Sequence, residues 1–133
     1  MLSRVRSWAH AERCSPTAIL RPMPQEKPLS INQNDFLIFL DRALDKMLLI
    51  VEELGDNLAN REPDLPNANS PYGILNHCIG VVDYWMGNLV GDRGTKRDRP
   101  AEFAARGTAA EIRIRVEAVK LRLREDVAMV DGP

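Results

Sequence analysis

Thr108-Ala-Ala-Glu111-Ile-Arg-Ile-Arg-Val-Glu-Ala-Val-Lys-Leu-Arg-Leu-Arg-Glu-Asp-Val-Ala-Met-Val130 decides the fold class of this chain. The Thr-x-x-Glu start is a capping box, in which the Thr108 and Glu111 side chains each accept an otherwise unpaired backbone N–H from the other's position. Ile112, Val116, Val119, Leu123, Val127 and Val130 then recur at steps of three and four, which puts them on one face of a helix. Arg113, Arg115, Lys120, Arg122 and Arg124 crowd the remainder, interleaved with Glu117, Glu125 and Asp126. Mixed signs of this kind describe a solvated face with local pairs, such as Glu117 with Lys120, rather than a nucleic-acid surface.

Two more helices lie upstream. Ser70 can cap and Pro71 suits a first helical position, where its missing N–H costs nothing. The stripe Ile74, Cys78, Val81, Val82, Trp85 and Leu89 is the expected core face of that helix, with Gly91 and Gly94 at its end. A first helix should start at Asn34 or Asp35 and run to Leu54, burying Phe36, Leu40, Ala43, Leu44, Met47, Val51 and Leu54. Asp41, Asp45 and Glu52 fall largely on its opposite side. Gly55 should then stop it in a left-handed conformation. The connection over residues 56–69 holds Pro63 and Pro66 and has room for one helical turn at its start. No alternating strand pattern, internal repeat or long heptad seam occurs, so the expectation is an all-α, up-down helical bundle.

Residues 1–33 read as a disordered extension, and residues 34–133 as the bundle domain. The extension carries Pro16, Pro22, Pro24 and Pro28, a density that blocks regular structure, and Met23 is a plausible alternative start. Its basic start is followed by no apolar stretch of signal-peptide length.

The bulk numbers leave room for one domain. The chain has 133 residues, with 18 Lys+Arg against 19 Asp+Glu for a formal charge of -1. That balance creates no global field to gather nucleic acid or an anionic membrane. No apolar run approaches the length of a membrane span. Cys14 sits in the extension and Cys78 on a helix stripe, which favours unpaired thiols and a reducing, cytoplasmic setting.

Chemistry-bearing residues are few. Outside the extension His77 is the single histidine, with Gly73, Val81 and Tyr84 on its own face. It reads either as a metal ligand aimed into a bundle or as a structural histidine hydrogen-bonded at the core edge. Transition-metal sites normally take three protein ligands, and no second histidine lies nearby. Glu52 and Glu53 are candidate carboxylate partners, with surface exposure the competing reading. The segment 91–107 is long and dense in charge, with Arg93, Lys96, Arg97, Asp98, Arg99, Glu102 and Arg106. Arg97 and Arg99 could receive a carboxylate or phosphate by forked hydrogen bonds, and the competing reading is a solvated lid pinned by Phe103. No phosphate-cradling glycine loop and no nucleophile–base set can be assembled.

The segment Asn69-Ser-Pro-Tyr-Gly-Ile-Leu-Asn-His-Cys-Ile-Gly-Val-Val-Asp-Tyr-Trp85, followed by Arg97-Asp-Arg-Pro-Ala-Glu-Phe103 and then Gly107-Thr108, resembles the DinB-like superfamily. It is most similar to the actinobacterial, mycothiol-transferase-like branch, over residues 36–130. The resemblance implies a four-helix bundle holding a divalent metal, zinc or nickel, with His77 at the position of the family's first metal histidine. It also implies a low-molecular-weight thiol, such as mycothiol, as cosubstrate for transfer to a small electrophile. A metal-bound thiol is deprotonated and therefore nucleophilic at neutral pH. The family's other ligands come from a His-x-x-x-His-like pair on a fourth helix, and no positions here match them. The expectation is thus three long helices with the fourth missing, leaving an apolar groove open to a second copy. Two functions follow: a metal-dependent thiol transferase, or a non-catalytic truncated helical domain acting as an interaction or dimerisation module.

Overall fold

The computed structural model describes residues 31–130. Residues 1–30 of the expected extension, with Cys14 and the alternative start at Met23, lie outside the described residues, whereas Asn32 and Gln33, expected to belong to it, cap and open the first helix. Four helices follow in order, α1 (Gln33–Ala59), α2 (Pro71–Leu89), α3 (Arg99–Ala104) and α4 (Ala109–Ala128), and the described residues contain no strand. The three long helices pack pairwise, and the short α3 lies on α2.

Each helix start has a chemical cause. Ser70 accepts the Gly73 N–H at 3.0 Å. Thr108 accepts the Glu111 N–H at 3.2 Å while the Glu111 carboxylate accepts the Thr108 N–H at 2.7 Å, completing the expected capping box. The α1 cap is Asn32, two residues ahead of the expected position, and its Oδ1 accepts the Asp35 N–H at 2.8 Å. Gly55, expected to stop α1, instead kinks it: φ is 69° there and helical geometry resumes to Ala59. The added turn ties two elements together, because Asp56 Oδ1 accepts the Ala109 N–H at 2.8 Å and Asn60 Nδ2 donates to the Gly107 carbonyl at 2.7 Å. Asp56 thereby satisfies one of the free donors at the start of α4.

Leu44, Leu48 and Val51 of α1, Tyr72, Leu75 and Ile79 of α2, and Ile112, Val116, Val119, Leu123 and Val127 of α4 form the buried core. For α4 the periodic stripe is correct except at Val130, which is exposed. For α2 the expected stripe is rotated away from the truth. Ile74 is 41% exposed, Trp85 50% and Leu89 73%, so these three form outer surface. The reason is that α2 is apolar on most of its circumference, and periodicity alone cannot choose which apolar sector meets α1 and α4.

The flanks of α1 and α4 also meet. Lys120 Nζ reaches Asp45 Oδ1 at 2.7 Å, and Arg113 with Glu52 and Arg124 with Asp41 form further cross-helix ion pairs. The charges expected to be solvated on both helices therefore stitch them together, although Lys120 also keeps Glu117 at 3.4 Å. Glu52 is paired with Arg113 of α4, and among the described residues it makes no ion pair with His77.

Candidate functional site

The site is built where α3 lies across α2. α2 presents Gly73, Asn76, His77 and Gly80 on one sector, spaced as a helix face requires. A Cβ at Gly73 would strike the Phe103 carbonyl, and one at Gly80 would strike the Glu102 carboxylate. The two missing side chains let α3 settle directly onto the α2 backbone. Asn76 Nδ2 donates to the Glu102 carbonyl at 2.8 Å, fixing the register. Asp98 caps α3 by accepting the Ala101 N–H at 3.1 Å, and Pro100 occupies its first turn.

This seating delivers Glu102 to His77. Glu102 Oε2 stands 2.8 Å from His77 Nδ1. Arg97 grips the same carboxylate, with Nε 2.8 Å from Oε1 and Nη2 3.0 Å from Oε2. Arg97 Nη2 also lies 3.1 Å from His77 Nδ1. A carboxylate and an unprotonated ring nitrogen would repel at such a distance, so the Nδ1 proton is the arrangement that satisfies Glu102. Arg97 then spends its hydrogens on the carboxylate, and in the neutral ring the lone pair falls on Nε2. The Arg97 guanidinium, and after it His77, hold the Glu102 carboxyl below the usual carboxylate range. Phe103 stacks on the imidazole with ring centroids 4.0 Å apart and planes 21° apart, locking the ring's remaining freedom. The Arg99 guanidinium lies over the other aromatic partner, 5.8 Å from the Phe103 centroid.

Of the residues singled out from sequence, the structure brings His77 and Arg97 into contact and places Arg99 one ring further out. Phe103 does pin the segment, and it does so on His77 itself. Cys78 is half-buried and unpaired among the described residues, and burial pushes its thiol pKa up, which keeps it protonated. Glu102 is the residue sequence reasoning missed as a partner of His77. It lies 25 residues on and across a connection, and only the glycine pair on α2 signals a close neighbour there.

An oriented imidazole is what a metal ligand requires, because a carboxylate on Nδ1 fixes the ring and leaves Nε2 for the metal. The rest of a metal centre is not supplied. Among the described residues no group of three His, Cys, Asp or Glu side chains could hold a metal ion. Glu102 is engaged by Arg97 through both oxygens. The described residues therefore furnish one nitrogen ligand and do not by themselves fit a metal.

A helical bundle domain with a carboxylate-oriented histidine at the junction of two helices is the class that fold and site define. The chain belongs to the DinB superfamily, whose family profile matches residues 40–132. No curated protein and no solved structure matches it. No helix among the described residues is long and apolar enough to cross a membrane.

Proposed function

We propose that this domain descends from, and retains the histidine of, a metal-dependent transferase that uses a low-molecular-weight thiol of the mycothiol kind on a small electrophile. The observation that carries the reading is the His77–Glu102–Arg97 constellation. A half-buried ring held by a carboxylate, which is itself held by a guanidinium and sealed by Phe103, is more order than a surface histidine needs. On this reading His77 contributes one ligand to zinc or nickel, and groups beyond the described residues, most simply those of a second copy, contribute the others. The test is calorimetric titration of zinc and of nickel into the chain and into His77→Ala. Binding in the parent that disappears in the variant supports the reading. Equal heats in both overturn it.

A second reading is favoured by a separate observation. Ile74, Trp85 and Leu89 on α2 and Phe39 and Ile50 on α1 are exposed, and nothing among the described residues covers them. On this reading the domain is a non-catalytic module that pairs with another copy through these faces. Lys46 and Glu53 support self-pairing: both are exposed on α1, seven residues apart, and neither makes an ion pair among the described residues. Two antiparallel α1 helices crossing near Ile50 would set each Lys46 against the other copy's Glu53. Mass in solution distinguishes a pair from a single chain.

A further inference from the structure

The connection between α2 and α3, residues 90–98, is fastened at several points. The Arg93 N–H donates to the Gly87 carbonyl at 2.7 Å, and Asn88 Nδ2 donates to the Thr95 carbonyl at 2.9 Å. The Arg93 guanidinium is clamped between Asp83 Oδ1 at 3.2 Å and Asp126 Oδ2 at 2.8 Å, and the Asp126 side chain is only 4% exposed. Arg122 braces Asp83 from α4 at 2.8 Å. At its far end Arg97 is fixed by Glu102. A segment tied down in this way forms a wall whose shape is set before anything binds to it.

Between that wall and the outer end of α2 lies an open cleft of about 810 Å³, lined by Tyr84, Asn88, Asp92, Lys96, Arg97 and Arg99 among others. Three cations there face one carboxylate, in a chain whose formal charge is -1. Arg97 is spent on Glu102. Lys96 and Arg99 make no ion pair among the described residues, so two uncommitted positive charges stand three residues apart on one rim. Arg99 offers a planar fork matched to a carboxylate or phosphate, and Lys96 a point charge beside it. A preformed wall lowers the ordering cost of filling the cleft.

We propose that this cleft binds the anionic group, carboxylate or phosphate, of a small molecule through Lys96 and Arg99, with Tyr84 as its aromatic wall and Arg97 linking it to His77. The inference names the charge class of the ligand, and it rests on the reading above only for taking that ligand to be a substrate. Lys96 and Arg99 confer binding; Arg97 belongs to the positioning of Glu102 and His77.

The experiment is a titration of the full chain with inorganic phosphate and, separately, with malate, followed by amide chemical shifts at about 50 mM salt. Saturable shifts at Tyr84, Gly94 and Thr95 are expected for at least one of the two anions, weakened about tenfold or more in Lys96→Ala/Arg99→Ala. Both positions are exposed, so the double variant should retain the parent's helical circular dichroism. Response to phosphate alone assigns a phosphoryl ligand, and response to malate alone a carboxylate. Absence of saturation with either anion overturns the proposal. So does equal weakening by Arg42→Ala/Arg115→Ala, both exposed and outside the cleft. Anion binding without zinc binding keeps the cleft and removes the metal reading, and zinc binding without anion binding does the reverse.

Discussion

Glu102 Oε2 stands 2.8 Å from His77 Nδ1, bridging α3 to α2 across 25 residues of chain. This pair determines which ring nitrogen is free. With the carboxylate ionised and doubly gripped by Arg97, the imidazole proton belongs on Nδ1. In Glu102→Gln that preference should vanish, because an amide can serve either tautomer. Ring nitrogen chemical shifts report it: the neutral ring of the parent should carry its proton on Nδ1, and the neutral ring of the variant should show a mixture of tautomers. A mixture in the parent would contradict the assignment.

The same carboxylate makes stability depend on acid. Its pKa in the folded chain lies below its ordinary value, chiefly through Arg97. The folded state therefore releases this proton more readily than the unfolded one. Its contribution is fully present above the ordinary carboxylate pKa of about 4.3 and is lost as pH falls through the lower folded value. Urea melts at stepped pH should show the parent more stable than Glu102→Gln at pH 7, with the gap closing below about pH 4. A gap that is unchanged in acid would contradict the coupling.

The two glycines under α3 should respond differently to alanine. At Gly73 the new Cβ meets the Phe103 carbonyl, a backbone atom with nowhere to go. Overpacking of that kind costs about 1–3 kcal/mol, against about 1 kcal/mol gained in helix propensity, so Gly73→Ala should be the less stable chain. At Gly80 the obstacle is the Glu102 carboxylate, which can swing aside. Gly80→Ala should change stability little and yet release His77, visible as the mixed tautomer predicted for Glu102→Gln. Denaturant midpoints and ring shifts on the two variants separate these effects.

On α2 the identity of the buried face can be tested by paired truncations. Leu75→Ala should lose about 2–5 kcal/mol, because the side chain is wholly buried. Trp85→Ser/Leu89→Ser should leave the midpoint near the parent's, since both side chains are at least half exposed. If the second reading holds, it is Phe39→Ser/Ile50→Ser on α1 that abolishes self-association. A large loss of stability at Trp85 in a monomeric chain would contradict the packing described here.

How much of this was legible beforehand depends on how local each signal is. The capping box at Thr108 and the α4 stripe were readable because helix caps and three-to-four periodicity are written within a few residues. The α2 face was misread because Ile74, Val81 and Trp85 are as apolar as Tyr72, Leu75 and Ile79, and the choice between the sectors is made by neighbours far along the chain. His77, Arg97 and Arg99 stood out by residue type. Glu102 did not, since a glutamate among seven other charged residues carries no mark of its partner. Its role emerges only when Gly73 and Gly80 allow α3 to close onto α2. The cross-helix pairs Lys120–Asp45 and Arg124–Asp41 were hidden for the same reason, as contacts set by the docking of α1 on α4.

The measurement that bears most directly on the central claim is zinc and nickel binding by calorimetry on the intact chain and on His77→Ala, with the mass in solution determined alongside. The account predicts binding in the parent that is absent from the variant, and a mass showing how many chains share each metal. Heats that are the same for both proteins would contradict it. His77 would then be a structural histidine of a helical module, held by Glu102 and Phe103 for packing alone.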